Sequence, residues 1–417
     1  MDSLFVVGDP RSSLVPLVEL KENKIERSGE ERGKGHKYVC ITRPRRFGKT
    51  VMANMISSYF GKGIDSGETF KGLKASSSDW FENHLNQHNV IHIMCNELPD
   101  ECTTYAQYIA RIKRRLLNDL IREFPDAKID GKDPLWDAFN SIIEFGNGEK
   151  FIFVLDEWDY FFRRKFITEN DKAAYIDFLS NLLKDQPYVE LVYMTGILPV
   201  AKYSSGSELN MFYEYTMATR EKYSEYFGFT DEEVDQLYQR YLKNAQQPNV
   251  TRKGLEHWYD GYQTVSGKRL YNPRSVVGAL NDNQLGSYWT SSGPYDEIYY
   301  YVENDVAQVR DDIALMVTGT PVLAKVQEYA ATSMKLTTRD EIFSAMVVYG
   351  FLSYKNGYVS IPNKELMDKF ADIIQKEPSL GYSEKPEYTG RILAVGIAYY
   401  KEDKKHSCKI EVLREKE

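Results

Sequence analysis

Four residues have the types and spacing for phosphate chemistry: Lys49 and Thr50 side by side, and much later in the chain the adjacent carboxylates Asp156 and Glu157. A lysine ammonium is a point counter-charge for β and γ phosphates, and a threonine hydroxyl is a ligand for Mg²⁺. A carboxylate at a strand end can hold that metal through water, and a second one beside it can polarise an attacking water. Lys49 and Thr50 close the turn R-P-R-R-F-G-K-T, in which Arg43 stands where the pattern G-x-x-x-x-G-K-[ST] has its first glycine. Arg45 and Arg46 are placed to supply charge where glycine backbone donors are lost. With Arg43, Phe47, Gly48, Lys49 and Thr50 they make up the expected nucleotide-binding loop, a solvent-facing loop on which Lys49 is expected to lie.

The flanking stretches supply the elements such a loop needs. Tyr38 to Ile41 reads as a strand buried on both faces, and Val51, Met52, Met55, Ile56, Tyr59 and Phe60 recur at helical spacing before Gly61 and Gly63. The first N–H groups of that helix lack intrahelical partners and carry the positive end of its dipole, so the turn is an anion site. Phe151 to Asp159, FIFVLDEWD, is a near-continuous apolar strand that ends in acid. An isolated Asp-Glu pair reads equally well as a cap or surface pair. GKT upstream, after a comparable strand, tips the pair toward nucleotide and metal. Val189 to Met194 is another strand, and Thr195 after it is either a group that senses the γ-phosphate or a plain turn residue. Strands alternate with helices across residues 38–200, which specifies an α/β fold with a mainly parallel sheet covered on both faces and ligands at the carboxyl ends of its strands.

Composition bounds the remainder. The 417 residues are 42% hydrophobic and 27% charged, with a formal net charge of −8, the balance of a globular chain without a global basic field for nucleic acid. No window has the length and apolarity of a membrane span and MDSLFVVGDP has no basic leader, so a cytoplasmic location is expected and no membrane partner. Cys40, Cys95, Cys102 and Cys408 lack C-x-x-C spacing. His84, His88 and His92 mimic a zinc cluster, but Val90 to Met94 reads as strand, which breaks their helical register.

Further along, Tyr105 to Phe124 and Leu135 to Phe145 read as helices, and Lys113, Arg114 and Arg115 fall on a solvated face. After Thr216, Glu221 to Tyr241 and Lys253 to Tyr262 look helical, with a capping box through Thr230 and Glu233. Arg339 to Tyr349 followed by FLSY and GYVSI has the order of a winged helix, for which packing is favoured over DNA reading because no basic cluster lies on that helix. Trp258, Tyr259, Asp260 and Tyr262 are expected to form a structural corner.

The ordered series ITRPRRFGKT, FVLDEWD, MTGILPVAKY, LNMFYEYTM, FGFTDEEV, HWYDGY, YNPRSVV, YWT, LTTRDEI and YVSIPNKEL resembles the bacterial AAA-ATPase-like family with an RPRRFGK[ST] phosphate loop. The resemblance covers residues 38–365 and implies a P-loop NTPase fold (AAA/ASCE-like) followed by a helical, winged-helix portion. It implies ATP and Mg²⁺ as ligands, where the spacing alone indicates only phosphate and metal. It also implies binding or catalytic roles for Lys49, Thr50, Asp156, Glu157 and Thr195. The expected domains are 1–220, 221–365 and 366–417. The partner class is a protein, a further copy of the chain, nucleic acid, or a defence or mobile-element component. A nucleotide-binding scaffold without turnover is the competing reading.

Relatives of this kind usually continue into a PD-(D/E)XK nuclease-like domain. Here IPNKEL passes almost directly to Ile392 to Tyr400 and Cys408 to Leu413, which look like two final strands joined by a charged turn. Among the tail's acids only Glu411 falls within an expected strand, whereas metal-assisted cleavage needs carboxylates converging on an ion. Incubation with single- and double-stranded DNA or RNA and Mg²⁺ or Mn²⁺ should therefore leave each intact, and cleavage lost on changing Glu411 would show a working site in the tail.

Overall fold

The computed structural model describes residues 37–200, 209–217, 222–290, 307–327, 336–376, 392–400 and 405–414, apart from positions 64, 72, 80, 100, 101, 147 and 165. The apolar and charged stretches within residues 1–36, and positions 401–404 of the charged turn in the tail, lie outside these.

Strands β1 (Tyr38–Thr42), β2 (Asn89–Met94), β3 (Phe151–Asp156), β4 (Val189–Gly196) and β5 (Tyr213–Tyr215) pair in parallel in the order β2-β3-β4-β1-β5. Every residue of β1 and β3 is buried, so both sheet faces are covered there. The covering helices arise where continuous apolar runs give way to apolar residues at a period of 3.6. They are α1 (Lys49–Phe60), α2 (Tyr105–Glu123), α3 (Leu135–Phe145) and α4 (Glu169–Leu183). Thr104 caps α2, and Thr168 with Asp171 makes a capping box on α4. The topology has one consequence for chemistry. β4 lies between the strand that leads into R-P-R-R-F-G-K-T and the strand that ends in Asp156. The carboxyl end of β4 therefore stands at the centre of the strand tips.

A second set of elements follows in the chain: α5 (Asp231–Asn244), α6 (Arg252–Tyr259) and α7 (Pro273–Asn281). Val234, Leu237, Tyr241, Leu255, Tyr259 and Val276 share one core among them. Two expected boundaries are corrected. The first helix starts at Asp231 because Thr230 accepts from the Glu233 N–H and the Glu233 carboxylate accepts from the Thr230 N–H. The second stops at Tyr259 because Gly261 has φ 114° and its backbone lies against the Pro362 carbonyl; Tyr262 and Gln263 become strand β6, paired with β7 (Arg269–Leu270).

Next come α8 (Ala307–Val317), β8 (Val322–Leu323), α9 (Arg339–Tyr349), β9 (Ser353–Lys355) and β10 (Tyr358–Ser360), with antiparallel strand order β8-β10-β9. Asn356 and Gly357, both at positive φ, make the tight turn between β9 and β10. Helix α9 buries Ile342 through Val347 and Tyr349, which leaves it no wide exposed face. The Glu365 carboxylate is buried and accepts from the Ser275 hydroxyl at 2.7 Å and the Trp289 and Thr290 N–H groups at 2.7 and 3.0 Å, tying α7 to the loop after it. Burial pushes its pKa above the usual carboxylate value, and the hydrogen bonds donated to it offset only part of that.

The described residues fall into two compact units divided after Asp368. The second contains the antiparallel hairpin β11 (Ile392–Tyr400) and β12 (Lys405–Arg414). Pairing reaches Tyr400 opposite Lys405, so β12 is longer than the six residues expected from Cys408 to Leu413.

Gly350 closes α9 in the left-handed conformation at φ 84°, and its Cα hydrogen points at Pro44 of the R-P-R-R-F-G-K-T turn; a Cβ there would lie 2.5 Å from Pro44 Cβ. Gly357 has nearly the same φ, 85°, but its nearest neighbour to such a Cβ is Leu323 at 3.8 Å. Gly357→Ala should thus cost only the left-handed penalty of about 1–2 kcal/mol, while Gly350→Ala adds an overpacking term of about 1–3 kcal/mol. Urea unfolding of the two variants checks this: equal losses would mean that the Pro44 contact is not tight.

Candidate functional site

The turn after β1 is drawn onto the tip of β4, since the Arg43 N–H donates to Gly196 O at 3.1 Å. It then tightens through Arg46 (φ 69°) and Gly48 (φ 89°), two left-handed residues that swing the chain into α1. Gly48 stands at the N-cap with no side chain to cap the helix, so the helix start keeps its N–H groups for another acceptor. Thr50, half-buried, is the second residue of α1.

Lys49 corrects one expectation. It is only 6% exposed and not on the solvent-facing side of the loop, because α1 begins with it and its side chain folds back under the turn. Its ammonium donates to Arg43 O at 2.9 Å and Pro44 O at 2.8 Å. Burial pulls its pKa down to about 8, opposed by the charges of Asp159, Glu157 and Asp156. Lys49 therefore sits within the field of all three carboxylates that follow β3.

The Asp156 carboxylate and the Glu157 backbone are held by β4. Asp156 is fully buried, and one of its oxygens, Oδ1, accepts from the Thr195 hydroxyl at 2.5 Å. The same hydroxyl accepts from the Glu157 N–H at 3.3 Å, so Thr195 is clamped between the two acids. Glu157 itself is left-handed at φ 53°, a conformation that costs a non-glycine residue roughly 1–2 kcal/mol and recurs where surroundings fix a functional side chain. The other Asp156 oxygen, Oδ2, is buried without a hydrogen-bond partner. A buried carboxylate oxygen left so costs on the order of 1–3 kcal/mol, and a cation is the partner that removes the cost. That oxygen, and the Thr50 hydroxyl in the first turn of α1, are of the donor types that suit Mg²⁺.

The arginines of the turn do not act alike. Arg43 is buried, and its guanidinium donates to Thr42 O and Tyr215 O, both at 2.7 Å, and lies over the Phe227 ring; its side chain braces β1 against β5. Arg45 is half-buried and Arg46 exposed. Partial burial, then the nearby charges of Arg274 and Arg45, lower the Arg46 pKa, while Glu157 opposes them. The start of α7 thus brings Arg274 to the rim of the same site. Phe47 is buried edge-to-face on Tyr262, with ring centroids 5.0 Å apart, and backs the turn from beneath. Tyr262 in turn donates to Gly350 O at 2.7 Å.

Two residues important to the site carried no signal in a motif search. Asp159 is fully buried and accepts from the N–H groups of Ile197 and Leu198 at 3.2 and 3.1 Å, pinning the loop after β3 to the loop after β4. Gly196 makes this possible, since a Cβ there would meet Trp158 at 2.5 Å. Arg163, four residues beyond Asp159, points its Nη2 at Glu157 Oε2 at 3.9 Å. The one hint in the sequence is the apolar spacing of Trp158, Phe161 and Phe162, which turns the backbone over the acids. His92, by contrast, lies on β2 with its Nδ1 3.1 Å from the Ser57 hydroxyl, and His84 faces His88 at 3.1 Å, so the three histidines do not converge.

Comparison with known proteins places the geometry in context. No curated protein matches the chain. Among solved structures, a Walker-type ATPase of Pyrococcus abyssi is similar at 12% identity and a TM-score of 0.47, over 85% of this chain and 95% of that one. The ORC2 protein of Aeropyrum pernix, in its ADPNP–ADP complexes, is similar at 13% identity and a TM-score of 0.39, over 88% of this chain and 94% of that one. Residues 31–205, the segment that carries the phosphate loop, the Asp156–Glu157 pair and Thr195, match the model of the AAA-ATPase-like family, described as a predicted AAA-ATPase.

Proposed function

We propose that this protein is a Mg²⁺-dependent ATPase whose nucleotide state is passed to its helical portion. The observation that carries the reading is the clamp Asp156–Thr195–Glu157 at the strand tips, with one Asp156 oxygen unpartnered and Lys49 in its field. Thr50 and Asp156 would hold Mg²⁺, which when bound neutralises phosphate charge. Lys49 would leave the Arg43 and Pro44 carbonyls for the β and γ phosphates. Glu157 would orient a water. Its oxygen bonds to the γ-phosphorus as the bond from that phosphorus to the β,γ-bridging oxygen breaks, and its proton passes to the carboxylate, giving ADP and phosphate.

The route to the helical portion is equally physical. Pro44 touches Gly350, and Phe47 touches Tyr262, so the loop that would grip phosphate is itself a contact with residues beyond 220. On this reading residues 1–220 hydrolyse, residues 221–365 respond, and residues 366–417 carry no nuclease centre. The near-complete burial of α9 supports a winged-helix-like packing module over a groove-reading helix. The partner is a protein or a further copy of this chain, and the setting is the cytoplasm, where ATP is supplied. One observation favours a scaffold without turnover: Lys49 and Glu157 are both engaged by protein groups, Lys49 by its own loop and Glu157 by Arg163.

Lys49→Ala should abolish ATP binding measured by isothermal titration, and undiminished affinity would sink the assignment. Glu157→Gln should bind and retain ATP while turnover falls by about 10²–10⁴. Wild-type turnover in that variant excludes Glu157 as base, and a wild-type protein that binds ATP but never hydrolyses it favours the scaffold.

A further inference from the structure

The short 3₁₀ turn Tyr160–Arg163 is fixed from below by aromatic side chains. Phe161 is buried and stacked on Tyr108, with centroids 5.0 Å apart and planes at 17°. Phe162 lies edge-to-face on the fully buried Trp158 at 5.2 Å. The backbone closes on the acids as well, since the Tyr160 N–H donates to Glu157 O at 2.9 Å and the Phe162 N–H to Asp159 O at 3.1 Å. With these rings directed inward, the turn carries Arg163 back over the site. Its guanidinium is largely shielded from solvent and sits 3.9 Å from the Glu157 carboxylate, and its charge is felt by Lys49. Both Arg163 and Arg164 lie over the Tyr160 ring, at 5.6 and 5.2 Å, but Arg164 is exposed and bonded to the Tyr160 hydroxyl at 3.1 Å.

We propose that Arg163 is an arginine supplied by the chain itself to the γ-phosphate: without nucleotide it pairs with Glu157, and with ATP it moves to the phosphate and releases Glu157 to the water. The inference rests on the ATPase reading above. A contact of 3.9 Å between partly shielded groups is a loose pair, worth roughly 0–1 kcal/mol, so exchanging it costs little. A γ-phosphate carries more charge than a carboxylate and accepts the planar guanidinium fork. Arginine is suited to this position because negative charge builds on the phosphate oxygens and the β,γ-bridging oxygen as the bond breaks, and stabilising that charge from a fixed, dry position lowers the barrier. The same movement couples occupancy to catalysis. Glu157 is held away from water until a γ-phosphate is present to take Arg163 from it.

The test compares wild type with Arg163→Ala and Arg163→Lys, each checked for folding by circular dichroism and melting. Arg163→Ala should lower single-turnover hydrolysis by about 10³-fold or more, leave ADP affinity within about twofold, and remove about tenfold of the preference for ATP over ADP in equilibrium binding. Arg163→Lys should restore part of the ATP preference but little of the rate, and carries the same comparison if the alanine variant fails to fold. Mixing Arg163→Ala with Glu157→Gln protein should restore no activity, because the arginine serves its own site. Recovery on mixing, or wild-type rate together with unchanged ATP preference in Arg163→Ala, overturns the proposal. If the wild type binds ATP without hydrolysing it, the turnover reading falls alone and the ATP-over-ADP comparison still decides for or against Arg163. A wild type that does not bind ATP overturns both.

Discussion

The hydrogen bond from the Thr195 hydroxyl to Asp156, buried at the tips of β4 and β3, is the contact on which the site depends. It exists because β4 is inserted between β3 and β1. That insertion sets the strand that leads into the R-P-R-R-F-G-K-T turn two strand spacings, roughly 9.6 Å, from the strand of the acids, and fills the interval with a hydroxyl. Thr195 then fixes two acids at once, by donating to the Asp156 carboxylate and accepting from the Glu157 N–H. Each bond is modest, but both are shielded from water, where a lost partner leaves a costly unpaired group.

Asp159 repeats the device one step further along, accepting from two N–H groups beyond β4. Together the two aspartates lock the exits of β3 and β4 to each other, and the cost is a concentration of negative charge beneath the phosphate loop. Lys49 answers it. Its ammonium is buried in the field of those charges and donates to two carbonyls of its own turn.

The arginines of the loop divide the remaining work by direction. Arg43 is spent on structure, tying β1 to β5, which gives the arginine at this position of the turn a packing role. Pro44 and Phe47 also face the protein, toward Gly350 and Tyr262. Arg46 is left on the rim, with Arg274 close enough to lower its pKa. A loop so backed moves only with what lies beneath it.

The sequence by itself determined the strands and most helices of the first 200 residues, because buried parallel strands read as apolar runs and the helices carry clean 3.6 periodicity between Gly, Pro and Thr boundaries. Leu135–Phe145 and Arg339–Tyr349 coincide with their expected limits. It also put Lys49 and Thr50 at the start of a helix and Asp156, Glu157 and Thr195 at strand ends, since local strand–turn–helix context fixes where such residues stand. Only the tertiary structure decided the direction of side chains and the company they keep. The burial of Lys49, the inward course of Arg43, the Asp159 brace and the Arg163–Glu157 pair join residues whose proximity depends on strand order and turn geometry. Strand order is a long-range property, set by which apolar surfaces pack together, and no local pattern of residues records it.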